Sequence, residues 1–194
     1  MKISSYCLVF LLFSCSASNA TSSEETAATA TAAVAAPAAQ PMVLQEVTGK
    51  HFFSNRSKPD QFRLQLTGKD ALTGTVNLSI VSADGETLWS DQFPATYLLD
   101  YGFDTYAGDN PTDAQRTAYI QKRMKEFFVE DSFLTQAVKA TDKFDTNYTA
   151  NKQAWEEAKQ TGLPGFFYNI GEENGRRLVY SPSQRKAIVV QSCC

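Results

Sequence analysis

The chain has 194 residues, about the length of one globular domain with a tail attached. Its 18 basic and 21 acidic side chains give a formal charge of −3, and the clustered basic surface that phosphate neutralisation needs is not evident, so nucleic acid is not an expected partner. A single histidine, His51, excludes metal sites built from several imidazoles and leaves only one residue that could act as a histidine base.

The chain opens with Met1 and Lys2 and then an apolar run from Tyr6 to Phe13. A charged start followed by a short apolar run reads as a secretory signal, and the run is shorter than the roughly 20 residues that span a bilayer. It ends in Leu12-Phe13-Ser14-Cys15, which resembles the lipobox of bacterial lipoproteins, with Phe13 in place of the usual small or branched residue. The resemblance implies cleavage before Cys15 and acylation of its sulfur. Ordinary signal cleavage after Ser18-Asn19-Ala20 is the rival reading. Residues 15–41 are dominated by Ala and Thr, with Pro37 and Pro41. So little apolar surface cannot offset the entropy of ordering, so this stretch is expected to be a disordered linker. The organisation expected is a signal over 1–14, a lipid-anchored linker over 15–41 and one globular domain over 42–194.

From Met42 the pattern changes. Phe62, Leu64 and Leu66 alternate with polar residues, as do Val76, Leu78 and Ile80, which predicts strands with one buried face. A third strand between Glu86 and Phe93 is joined to the second through Ala83-Asp84-Gly85, a strong hairpin signal. Asn110-Pro111-Thr112-Asp113 predicts a helix start, with Asn110 as cap and Pro111 in the first helical position. Ile120, Met124, Phe127 and Phe128 follow at helical spacing. A second helix is predicted over 149–161, carrying Trp155 and Ala158 and stopped by Gly162-Leu163-Pro164.

The last third alternates again through Phe166, Tyr168 and Ile170, then Leu178 and Tyr180, then Ile188 and Val190. Asn174-Gly175 and Ser181-Pro182-Ser183 supply the turns. The order βββ–αα–βββ predicts an α+β domain: one antiparallel sheet of about six strands, with two helices packed on one face.

His51 stands beside Phe52 and Phe53 and reads as a structural or surface residue. The glycine-rich phosphate cradles of nucleotide-binding proteins are absent from the sequence, and no cofactor is expected. Asp100, Tyr101, Asp104 and Tyr106 form an acidic and aromatic stretch suited to a sugar or cation, or simply to a solvated loop. Asp145, Asn147, Thr149 and Glu156 stand at places one, three, five and twelve of a stretch that resembles an EF-hand calcium loop. Ala150 takes the place of its turn glycine, and Lys152 of an apolar residue, so we read the stretch as a polar connector into a helix. Arg176-Arg177 and Arg185-Lys186 read as solvated turn residues. Asn55, Asn77 and Asn147 begin glycosylation triplets that matter only in a eukaryotic secretory host. Cys193 and Cys194 adjoin too closely for an unstrained disulfide, which leaves a free or oxidised tail, cross-linking to another chain, or a soft metal.

The expectation is an exported, membrane-tethered lipoprotein of the cell envelope, on the outer membrane and facing the periplasm or cell surface. Its expected role is non-enzymatic, binding an envelope protein, peptide or glycan. The alternatives are a carboxylate-dependent glycan hydrolase and a periplasmic enzyme inhibitor.

Overall fold

The computed structural model describes residues 41–100, 102–149, 151–171 and 173–193. The signal segment, Cys15, the linker up to residue 40, Tyr101, Ala150 and Cys194 lie outside the described residues.

The alternation in the first third folds as an antiparallel meander of β1 (Val43–His51), β2 (Asp60–Thr67), β3 (Thr75–Val81) and β4 (Thr87–Pro94). Phe62, Leu64 and Leu66 lie opposite Ile80, Leu78 and Val76, and all six are buried. Each such side chain gains roughly 1.5–3 kcal/mol by leaving water, so a one-residue slip that turned them outward would be heavily penalised. The opposite face is a polar ladder, with Gln92 donating to Asn77, Asn77 to Thr67, and both Arg63 and Gln65 to Glu46. At the Asp84-Gly85 turn, Gly85 has a φ of +91° and donates its N–H to the Ser82 carbonyl, a conformation glycine adopts without strain.

A 3-10 turn over 95–99 leads into α1 (Phe103–Ala107) and α2 (Asp113–Lys125). The cap of α2 is Thr112, whose hydroxyl accepts from the Gln115 N–H while the Gln115 side chain accepts from the Thr112 N–H. That reciprocal pair satisfies two orphan donors at once and outcompetes Asn110, which takes a left-handed φ of +57° outside the helix. Tyr119, Ile120 and Met124 form the buried face of α2. Phe127 and Phe128 follow after the helix ends yet still pack into the core.

A second meander holds β5 (Phe133–Leu134), β6 (Gly165–Asn169), β7 (Gly175–Ser181) and β8 (Lys186–Cys193), with α3 (Lys152–Thr161) between β5 and β6. Asn151 caps α3 through the Ala154 N–H, and Gly162 ends it at a φ of +57°.

The class is α+β, but the six-stranded single sheet gives way, among the described residues, to two four-stranded antiparallel sheets with three helices. Two strands escape the sequence. β1 is an edge strand that is nowhere fully buried, so it has no strong alternation, and two-residue β5 is too short to show a period. The helices do not share one face either. α2 packs against the 95–99 turn and β1, whereas α3 packs on β7 and β8. The larger apolar cluster unites both sheets through Phe62, Phe127 and Phe166, and the smaller joins Val179 and Val190 to Trp155 and Ala158 of α3. The second sheet is thus buried on both faces. Among the described residues, no helix is long and apolar enough to cross a membrane.

Candidate functional site

Successive residues of a strand point to opposite faces, and on β7 this separates Arg176 from Arg177. Arg176 turns toward the first sheet, where its Nη1 lies 2.6 Å from an Asp91 carboxylate oxygen on β4. Tyr168 of β6 donates to the same oxygen at 2.8 Å, and the Trp89 indole donates to the Tyr168 hydroxyl at 3.1 Å. Burial, followed by the Asp91 charge, raises the Tyr168 phenol well above its ordinary value, so it stays a donor. This network ties the sheets together through groups that leave water largely in pairs.

Arg177 points to the other side, toward α3 and the segment that precedes it. Its Nη1 donates to the Ala137 carbonyl at 3.3 Å. Its Nε is buried, with no acceptor among the described residues. Across from it on β8 the register steps from Gln191 to Val189, so Val190 is an extra, bulged residue beside the site. Neither arginine is the solvated turn residue that the sequence suggested, because β7 already begins at Gly175 and both lie within the strand.

Three adjoining hollows follow the 130–149 segment. The first, about 350 Å³, is lined by Lys139, Lys143, Asp142, Asp145, Tyr148 and Arg177, among others. The second, about 400 Å³, shares Lys139, Asp142 and Arg177 with it and adds Glu130 and Asp131. The third, about 380 Å³, shares Thr135 and Gln136 with the second and reaches Phe52 and Arg56. Phe52 and Tyr148 are exposed aromatics at the two ends. Buried Asp60 fixes the loop bearing Phe52 and Arg56, accepting from the Ser54 N–H and hydroxyl and from the Ala83 N–H. Arg56 in turn donates to the Gly162 carbonyl at the end of α3.

The stretch resembling a calcium loop divides. Asp145 and Thr149 line the first hollow, while Asn147 and Glu156 do not. The Asp145 carboxylate accepts the Asn147 N–H at 2.8 Å, so the aspartate-to-asparagine spacing belongs to a local Asx turn. Among the described residues, no group of three or more histidine, cysteine or acidic side chains is gathered to hold a metal.

Asp100 and Asp104 do meet, in a separate hollow of about 520 Å³ at the start of α1. Tyr106 is not part of that lining; its ring packs 4.9 Å from that of Tyr119, with the Lys122 ammonium 5.4 Å above it. His51 stacks on Phe133 at 3.3 Å between ring centroids and meets Phe62 edge-on. Its imidazole is shifted below its usual value by burial, against an opposing pull from Glu130, so it joins β1 to β5 as a largely neutral ring. Cys193 is the last residue of β8, opposite Gly175.

No protein-family model, curated protein or solved structure matches this chain.

Proposed function

We propose that this chain is a non-enzymatic binding module of the bacterial cell envelope, tethered through an acylated Cys15 to the outer membrane, facing the periplasm or cell surface. Its ligand is an extended polar segment of an envelope protein, peptide or glycan, laid along the groove beside residues 130–149. The observation that carries this reading is the sharing of residues between successive hollows, Lys139, Asp142 and Arg177 at one junction and Thr135 and Gln136 at the next. A groove with exposed aromatics at its ends and polar groups between them suits a chain-like ligand better than a compact one.

The test places a photo-crosslinking residue at Gln136, in the groove, or at Ser79, on the polar outer face of the first sheet, in intact cells. We expect one discrete adduct from Gln136 and none from Ser79. Equal labelling at both positions would remove the groove as the binding face. Cys15→Ala should abolish fatty-acid labelling; persistent labelling would remove the tether. Release of soluble sugar from envelope glycan by the purified chain would replace binding with hydrolysis.

A further inference from the structure

We propose that the hollow between β7, β8 and residues 139–149 is a subsite for a carboxylate, held by Arg177 with Lys139 and Lys143 beside it. The inference rests on the binding reading above and names the chemistry of one part of the ligand.

A guanidinium has five N–H donors arranged as a planar fork and keeps its charge in any protein environment. Arg177 is half-buried and spends one donor on the Ala137 carbonyl, through Nη1. The Nε–H is buried with no acceptor among the described residues. Among the described residues no carboxylate lies within ion-pair distance of this side chain, in contrast to Arg176 next to it, which is paired with Asp91. A buried N–H with its hydrogen bond unmade is destabilising by itself. It becomes favourable when an anion arrives to take up the unspent donors, and Arg177 forms part of the wall of the first hollow, from which such an anion would approach.

Charge decides which anion. The first hollow is lined by three cations, Lys139, Lys143 and Arg177, and by two carboxylates, Asp142 and Asp145. Both carboxylates already accept backbone N–H groups, from Lys139 and Asn147 respectively, and neither neutralises the guanidinium. The net single positive charge is balanced by one monoanion. A phosphate dianion would exceed it and lie near two fixed negative charges. The exposed Tyr148 ring in the same hollow gives an apolar surface for what the carboxylate is attached to.

A carboxylate of this kind can come from a peptide or from an acidic sugar, and the experiment separates them. The full chain is titrated with N-acetylglycine, glucuronate, their uncharged counterparts N-acetylglycinamide and glucose, and inorganic phosphate, with the Arg177 Nε–H resonance followed by NMR. We expect saturable shifts with dissociation constants on the order of millimolar for a carboxylate probe and none for its uncharged counterpart. Preference for N-acetylglycine or glucuronate identifies the source.

Arg177→Lys keeps the charge and loses the fork, and should weaken binding about tenfold or more. Lys139→Gln and Lys143→Gln alter exposed side chains and should each weaken it a few-fold with the fold intact, which covers the case in which Arg177→Lys does not fold. The proposal is overturned if the uncharged probes shift the resonance equally, if phosphate binds more tightly than both carboxylates, or if neither carboxylate gives a saturable shift. A Gln136 crosslink that survives Arg177→Lys unchanged would leave the groove standing as a binding face and remove the carboxylate subsite alone.

Discussion

Asp91 is an inward-facing carboxylate on a sheet whose other inward residues are mostly apolar, and what keeps it there is the pair of donors arriving from the opposite sheet. Removing either donor is not equivalent. Tyr168→Phe takes away two hydrogen bonds, its own to Asp91 and the one from the Trp89 indole, but leaves Asp91 on Arg176, which should cost about 1–2 kcal/mol. Arg176→Ala leaves a carboxylate with 13% of its side chain exposed and no counter-charge, so we expect a loss of about 2–3 kcal/mol. Urea unfolding of the two variants checks the order, and equal losses would mean that the ion pair is not the strong member of the network.

His51 supplies a pH dependence whose sign follows from its environment. Burial lowers the imidazole from its usual 6.5, so the folded state binds protons less readily than the unfolded chain. The stabilisation is complete above about pH 6.5 and is lost as pH falls through the lowered native value. We therefore expect the stability advantage of the wild-type chain over His51→Phe to shrink between pH 7.5 and 5, measured by urea midpoints at each pH. An advantage that grew with acidification would require a charged native imidazole.

At the scale of elements, Gly165 opens β6 where the chain passes close to the segment carrying the site. A Cβ added there would lie 2.8 Å from the Ala137 Cα and 3.2 Å from the Leu178 carbonyl oxygen. Backbone atoms cannot swing aside as a side chain does, so Gly165→Ala should destabilise by about 1–3 kcal/mol. It should also push residues 135–139 outward and weaken carboxylate binding at Lys139. Differential scanning calorimetry with the N-acetylglycine titration tests both, and unchanged affinity would separate the segment's position from the site.

Several elements were legible in the residues. The Phe62-Leu64-Leu66 alternation, the Asp84-Gly85 turn and the Gly162 helix stop all depend on local chemistry. The cap of α2 was displaced because Thr112 forms a two-way exchange with Gln115 that a single side chain such as Asn110 cannot match. The site itself was largely illegible. Arg177 gains its place from the register of β7 with β8 and from the Ala137 carbonyl 40 residues away, and neither leaves a local mark. What the sequence did offer was the Arg176-Arg177 pair inside a strand pattern, which forces one of two adjacent cations inward.

For the molecule as a whole, the second sheet belongs to both apolar clusters, with Leu178 in one and adjacent Val179 in the other. Breaking either layer exposes a face of the same strand, so unfolding should be one cooperative event. Leu178→Ala should cost about 2–5 kcal/mol and Val179→Ala a similar or somewhat smaller amount, each moving a single calorimetric transition. Two resolved transitions in either variant would show that the α3 layer unfolds alone.

The turn between β3 and β4 has a practical use. Among the described residues nothing lies within 4 Å of a Cβ added at Gly85, and no residue from 82 to 87 lines any of the three hollows. Exposed, short hairpin tips are places where chains accept inserted sequence. A fluorophore or affinity peptide spliced between Asp84 and Gly85 would therefore report on, or immobilise, the domain with the lining of the three hollows left unaltered.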